Sequence, residues 1–137
     1  MTDKIGVLGE VADATASRTV ATHVVYTVPS GKAAKCQIMW SGTSHASTGT
    51  GDLTITVNGI DVAVVLNITA ARYIHSNSTL MVNPETAAAP TGAAALLTVA
   101  PAPFEYYLSA ADTVTYTIAT LTMQSMKIQV VGTEIDV

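Results

Sequence analysis

The fold class is decided by the stretch Val24–Trp40, "VVYTVPSGKAAKCQIMW". Apolar and polar residues alternate on both sides of the Pro-Ser-Gly-Lys turn, which is the pattern of strands with one buried face. Proline lacks the N–H that a strand ladder needs, and glycine accepts turn angles, so the first strand ends there. We expect a β-hairpin whose inner face holds Tyr26, Cys36 and Trp40. The first strand is expected to place Val20, Thr22, Val24, Tyr26 and Val28 on one face.

Further strand patterns follow along the chain. Leu53, Ile55 and Val57 alternate with threonines, and Asn58-Gly59 then gives the strongest short hairpin signal, because a type I′ turn needs positive φ at both central residues. A similar alternation runs through "TVTYTI", and a last strand is expected from about residue 126 to 135. About eight strands without a helical period predict an all-β fold, a single β-sandwich or jelly roll.

The chain divides into an arm and one domain. Residues 1–17 are expected to form an N-terminal arm, and residues 18–137 the β-sandwich domain. Within the domain, the Gly/Ser-rich stretch Ser41–Gly51 is typical of an exposed loop, and residues 83–103 form an Ala/Pro-rich excursion. The arm and the excursion carry the candidate partner interface, which consists of Ile5, Val7, Leu8, Val11, Leu96, Leu97 and Val99.

Composition argues against several function classes. The 137 residues are 49% hydrophobic and 12% charged, with a net charge of −4. The six basic residues are scattered rather than clustered, so the sequence predicts no nucleic-acid partner. There is no apolar run long enough to span a membrane and no basic start followed by an apolar stretch, so we expect no membrane partner and no secretion signal. The single cysteine, Cys36, is compatible with folding in a reducing cytoplasm.

The sequence offers no constellation that indicates chemistry. His23, His45 and His75 lack the close spacing of a zinc site, and no nucleophile elbow or phosphate-binding loop is present. We therefore expect no enzyme activity, no catalytic or metal-binding residue and no cofactor. Tyr106 and Tyr107 point to opposite faces of a strand, so at most one of them faces outward; cross-strand packing is favoured over sugar stacking.

Three motifs carry a resemblance to a known class of proteins. "YTVPSGKAAKCQIMW" resembles the opening hairpin of small β-sandwich virion proteins of tailed bacteriophages, and "GDLTITVNGIDV" is similar to the Asn-Gly strand pair that follows in them. "YYLSAADTVTYTI" is similar to their late Leu-x-x-Gly-Asp turn, with Ala111 where glycine is usual. The resemblance covers about Val20–Ile118 and fits worst in the Ala/Pro-rich excursion.

The resemblance implies a virion structural protein, made in the host bacterial cytoplasm and located on the capsid surface. The favoured reading is a capsid decoration (cement) protein that binds the major capsid protein and itself, as a homotrimer or dimer. The arm and the excursion would supply apolar contacts or an added strand to neighbours. Two alternatives stay open: a tail, collar or fibre component, and a carbohydrate-binding host-attachment module that holds a glycan at an exposed tyrosine or in the loop Ser41–Gly51.

Overall fold

A computed structural model describes residues 3–11, 14–43, 50–69, 73–75, 97–99, 105–119, 123 and 125–137. The regular structure of these residues is β, apart from one short 3₁₀ helix at Thr15–Arg18. The strands are β1 (Lys4–Val11), β2 (Ala21–Thr27), β3 (Lys32–Thr43), β4 (Thr50–Val57), β5 (Ile60–Thr69), β6 (Tyr73–His75), β7 (Leu97–Val99), β8 (Tyr106–Leu108), β9 (Thr113–Ala119) and β10 (Ser125–Asp136). The all-β prediction is confirmed.

The strands form two antiparallel sheets that pack as a β-sandwich. Sheet 1 has the order β1-β10-β3-β6, and β8 pairs with β3 beside β6; sheet 2 has the order β2-β9-β4-β5-β7. The core lies between the sheets and is built from alternate residues of strands such as β3, β4, β9 and β10, as the period of two requires. Its most deeply buried side chains include Leu53, Ile55, Val114, Tyr116, Ile118, Met126, Ile128 and Val130.

The predicted hairpin at Pro-Ser-Gly-Lys is wrong, although the turn itself is present. The amide of Lys32 donates to the carbonyl of Pro29 at 3.2 Å, but β2 belongs to sheet 2 and β3 to sheet 1. Both edges of β3 are used within sheet 1, by β10 on one side and by β8 and β6 on the other. The turn is therefore a corner that carries the chain between sheets. The expected inner residues Tyr26, Cys36 and Trp40 are all buried, because the two strands still face the same core.

The predicted face of β2 is wrong for the first half of the strand, because a bulge reverses the alternation. The pairing with β9 shifts register between Val24 and Tyr26, so Val25 is an extra residue. Val24 is 61% exposed and Val20 51% exposed, whereas Val25 and Tyr26 are buried. The first half of the strand therefore shows Thr22 and Val24 to the outside, opposite to the face on which Tyr26 and Val28 lie, and Val20 before the strand is also exposed. A strict period of two cannot reveal such an inserted residue.

The segment predicted as an N-terminal arm contains a strand of the sandwich. β1 pairs with β10 along the edge of sheet 1, and its Leu8 and Val11 belong to the core. An arm that leaves the domain is therefore not confirmed.

The edges formed by β1 and β2 lie against each other. Both strands carry a bulge, and Gly9 of the first packs on the second so closely that a Cβ at this position would lie 2.5 Å from the Val25 carbonyl oxygen. Glycine at this position allows the two sheets to meet.

Two turns, one within sheet 2 and one between β8 and β9, need positive φ. Asn58 and Gly59 adopt φ values of 48° and 81° between β4 and β5, which confirms the predicted type I′ hairpin. Ala111, in the glycine position of the late turn, adopts a φ of 72° before β9. The Asp112 carboxylate accepts a hydrogen bond from the Ser109 amide at 2.8 Å and holds this turn closed. An alanine therefore occupies a backbone conformation that glycine adopts without a steric cost.

Several predicted features lie wholly or partly outside the described residues. These are most of the Ala/Pro-rich excursion at 83–103, of which only β7 (Leu97–Val99) is described, and the middle of the predicted loop Ser41–Gly51. Its flanks belong to β3 and β4.

Candidate functional site

The outer face of sheet 2 is lined with threonine. β9 contributes Thr113, Thr115 and Thr117, and the neighbouring strands β2 and β4 place further threonines beside them. The hydroxyls of Thr22 and Thr117 lie 2.8 Å apart, and the Thr56 hydroxyl donates to Asp61 at 3.0 Å. Threonine combines β-branching with a hydroxyl, so this face satisfies the strand preference and remains hydrated. Its chemistry is that of a solvent-facing sheet.

The outer face of sheet 1 exposes several large apolar side chains, whereas the outer face of sheet 2 exposes Val24 among its threonines. The register places Ile5 beside Thr133, and Val7 beside Val131, on the face opposite the core. Ile5 is 80% exposed and Val7 is 42% exposed. We define the apolar face as the side chains of six residues on this side of sheet 1: Ile5, Val7, Met39, Tyr107, Val131 and Ile135. On the same face Lys35, Gln37, Gln129 and Thr133 lie between members of this set. Groups of exposed apolar residues among polar ones mark interaction surfaces in soluble proteins.

Charged residues border the apolar face at one end. Beyond the bulge in β1, the Glu10 carboxylate accepts a hydrogen bond from Gln129 at 3.2 Å and pairs with the Lys127 ammonium at 3.6 Å. These residues lie on neighbouring strands β1 and β10. An apolar centre with a polar border is the usual arrangement of a protein–protein interface.

At the opposite end, a groove lies where β3, β8 and β10 meet. It has a volume of about 520 Å³, and its lining includes Ala33, Tyr107 and Ile135. Tyr107 is 74% exposed, which makes it the outward member of the Tyr106–Tyr107 pair, as the alternation predicts. The Lys35 ammonium lies 5.8 Å from the centre of the Tyr107 ring and 3.3 Å from a Glu105 carboxylate oxygen. The hydrogen bond to Glu105 raises the pKa of Lys35, so the lysine is cationic at neutral pH.

The buried polar groups join the two sheets and do not reach the surface. The Tyr26 hydroxyl donates to the Glu134 carboxylate at 2.6 Å, and both residues are buried. Burial, and then the hydrogen bond to Glu134, raise the pKa of Tyr26. Cys36 is buried, and desolvation raises the pKa of its thiol to about 11. A thiol in this state is a poor nucleophile, which agrees with the expected structural role.

The described residues include no group of three or more His, Cys, Asp and Glu side chains placed to hold a metal ion. His23 stacks on Tyr116 with 4.8 Å between ring centres, and its Nε2 lies 3.0 Å from the Thr19 carbonyl oxygen. These contacts account for His23 as a packing residue. His45 lies outside the described residues, and the backbone of His75 belongs to β6.

The structure separates the predicted interface residues into three groups. Ile5 and Val7 lie on the apolar face, whereas Leu8 and Val11 are in the core and face away from any partner. Leu96 lies outside the described residues, and Leu97 and Val99 belong to β7 at the edge of sheet 2. The described part of the candidate interface is therefore narrower on β1 than expected and continues onto β10, β3 and β8.

Sequence reasoning missed the greater part of this surface. The outward orientation of Met39 and Lys35 could have been predicted from the sequence, because the alternation of β3 places both opposite the buried Cys36 and Trp40. The positions of Tyr107 and Ile135 on this face could not have been predicted, since their neighbours depend on the pairing of β8 and β10 with β3.

Comparisons with protein-family models, with curated proteins and with solved structures found no match to this chain. Among the helices of the described residues, none has the length and hydropathy needed to cross a bilayer.

Proposed function

We propose that this chain is a structural protein of a tailed-bacteriophage particle, a capsid decoration (cement) protein that binds the major capsid protein lattice and itself. The observation that carries the proposal is the apolar face of sheet 1, where exposed Ile5 and Val7 stand beside Val131. The cores of stable protein interfaces are depleted in charge and enriched in such side chains. The sandwich would serve as the rigid body that presents this face.

The sequence adds support of a different kind. The resemblance of the three quoted motifs to virion β-sandwich proteins favours a particle component, and only 12% of the residues are charged. A low charge suits a subunit whose surface is covered by neighbours, because charges lose hydration in an interface. Many copies on a lattice would act together, so a modest affinity per copy is sufficient. A jelly-roll order for the complete chain is part of this proposal.

The packing of β1 favours docking through side chains over docking by strand addition. Gly9 of β1 lies against Val25 of β2, so part of this edge is already covered. The Lys4 ammonium also donates to the Leu8 carbonyl at 3.1 Å, which occupies a backbone acceptor at the bulge. A bulge and a lysine are two devices by which native sheets prevent edge pairing. The apolar face is therefore the better candidate for lattice contact.

Point substitutions on the apolar face test the proposal more cleanly than removal of the N-terminal segment, because β1 supplies Leu8 and Val11 to the core. The variant Ile5→Thr/Val7→Thr keeps β-branched side chains and removes the apolar surface. The matched control is Val24→Thr, which changes a 61% exposed valine on the outer face of sheet 2.

The assay is co-sedimentation of each variant with phage capsids that lack this protein. We expect the double variant to bind at least about ten-fold more weakly, because it removes apolar area that the contact would bury at two positions, and ten-fold corresponds to only about 1.4 kcal/mol. Val24→Thr should bind as the unmodified protein does. Equal binding by the double variant would remove the apolar face from the proposal.

Copy number separates head from tail. Quantitative mass spectrometry of purified particles would compare this chain with the major capsid protein. Copies comparable with the shell protein support decoration, and a few to some tens support a tail, collar or fibre component. Absence from particles rejects the virion proposal.

A further inference from the structure

The groove at the end of the apolar face has the dimensions and the composition of a small-ligand site. Its volume of about 520 Å³ falls within the range of about 300–1,000 Å³ that is usual for such sites. Ala33 of β3, the residue paired with Ile135, has a side chain too short to fill the space beside Tyr107. The depression therefore follows from one small residue between larger ones.

Tyr107 offers an aromatic surface that the fold does not use. The ring is 74% exposed, although its neighbour Leu108 is buried in the core. Lys35, the cross-strand partner of Tyr107, places its ammonium 5.8 Å from the ring centre. The Tyr107 hydroxyl also makes a long contact of 3.5 Å with the Glu105 carboxylate. The ring is thus positioned by two charged groups and keeps most of its surface available for stacking.

The polar groups around the ring balance each other in charge. Lys35 and Glu105 form an ion pair at 3.3 Å, and their side chains remain 53% and 47% exposed. The ammonium retains donors and the carboxylate retains acceptors that another molecule can use. Ser109 and Thr133 add hydroxyls to the lining of the groove. The paired charges and the hydroxyl groups can therefore donate and accept hydrogen bonds with a polar ligand. Because the two charges are opposite, they do not favour a ligand of either sign.

We propose that this groove binds a neutral saccharide, with the apolar face of one sugar ring on Tyr107 and its hydroxyls bonded to Lys35, Glu105 and the adjoining hydroxyl side chains. A pyranose presents both an apolar C–H face and a ring of hydroxyls, and the groove presents the complement of each. The net charge of −4 disfavours an acidic sugar. The groove shares Tyr107 and Ile135 with the apolar face, so this proposal is tested on the free protein, in which no lattice contact covers them.

The test is direct binding by the free protein, without particles. The unmodified chain is applied to a printed array of neutral and acidic oligosaccharides, and the strongest oligosaccharide is then titrated by calorimetry. We expect retention of neutral oligosaccharides. Tyr107→Ala should weaken binding at least about ten-fold, because it removes the aromatic surface against which the C–H face of the sugar would pack. Tyr107→Phe keeps the ring and should lose no more than about three-fold.

A second variant tests the shape of the groove with Tyr107 intact. Ala33→Leu fills the floor from the outer side of the sheet and should abolish binding without disturbing the core. Ile60→Ala removes a 70% exposed apolar residue elsewhere and serves as the control, with unchanged binding. Failure to retain any neutral oligosaccharide, binding that survives both Tyr107→Ala and Ala33→Leu, or occupation of the groove by a protein partner would each overturn the proposal. Co-sedimentation of Tyr107→Ala with capsids reports separately on the lattice proposal.

Discussion

Replacing Tyr26 by phenylalanine removes a hydrogen bond that joins the two sheets. Tyr26 lies on β2 of sheet 2, and its hydroxyl donates at 2.6 Å to Glu134 on β10 of sheet 1. Both residues are about 7% exposed, so water cannot readily replace the lost donor. The phenylalanine ring fills the same space apart from the oxygen. The substitution therefore isolates the hydrogen bond from the packing.

The expected loss follows from the burial of the carboxylate. Hydrogen bonds to charged groups contribute about 1.5–3 kcal/mol, and a buried acceptor left without its donor carries its desolvation cost into the folded state. We expect Tyr26→Phe to lower the free energy of unfolding by about 2 kcal/mol and the melting temperature by about 5–10 °C. Urea denaturation followed by Trp40 fluorescence measures the first value, because this tryptophan is the only one in the chain and is buried.

Two further variants test whether the loss of stability comes from the Tyr26–Glu134 hydrogen bond. Tyr107→Phe removes the hydroxyl of an exposed tyrosine and should change the free energy of unfolding by less than about 0.5 kcal/mol. Glu134→Gln in the Tyr26→Phe background removes the buried charge and should recover part of the loss, giving a coupling energy above about 1 kcal/mol in the double-mutant cycle. A loss below about 0.5 kcal/mol for Tyr26→Phe would refute the reasoning.

The same pair predicts a dependence on alkaline pH. The folded structure raises the pKa of Tyr26 above its ordinary value of about 10, through burial and the bond to Glu134. A raised pKa means that the folded state favours the protonated phenol. Its contribution is complete below about pH 10 and is lost as the pH rises toward the folded pKa. The stability difference between the unmodified chain and Tyr26→Phe should therefore be constant from pH 7 to about 9 and shrink above about pH 10.

Three other predictions concern single positions. Ala111→Gly should raise the free energy of unfolding by about 0.5–1 kcal/mol in thermal or urea denaturation, because the φ of 72° strains alanine; a loss of stability would contradict this reading. Gly9→Ala should lower it by about 1–3 kcal/mol, since the added Cβ meets the Val25 carbonyl, and unchanged stability would contradict the close packing of β1 on β2. Cys36 should resist a thiol reagent at pH 8 in the native protein and react fully in urea, because it is buried and its pKa is raised to about 11; rapid native labelling would show an accessible thiol.

Local alternation predicted several of the strands and, in β3, which side chains are buried. In β3, Cys36, Ile38 and Trp40 turn inward as the spacing indicates, and Asn58-Gly59 makes the expected turn. These features depend on residues two positions apart or on one dipeptide. Their determinants are contained in a few consecutive residues, so a single sequence reveals them.

Pairing between distant strands could not be read from the sequence. The corner at Pro-Ser-Gly-Lys has the residues of a hairpin turn, yet β3 pairs with β10, which lies about ninety residues later in the chain. The sequence also gives no signal for the bulge at Val25, because the extra residue is a valine like its neighbour Val24. The groove depends on these long-range choices, since Tyr107 meets Lys35 only after β8 has paired with β3. The candidate site was therefore less predictable than the fold class.

The two outer faces differ in composition, and this difference is the basis of the proposed docking role of the apolar face. Strand propensity favours β-branched residues at outward-facing positions, and on sheet 2 these are threonines such as Thr54, Thr115 and Thr117. Sheet 1 has Ile5 and Val7 instead, which are exposed and also β-branched. If folding alone governed the choice, Ile5→Thr/Val7→Thr would lower the free energy of unfolding and leave particle binding by the folded protein unchanged. A variant that keeps its free energy of unfolding within about 0.5 kcal/mol but no longer binds would assign the apolar residues to association. A large loss of stability would instead assign them to the domain itself.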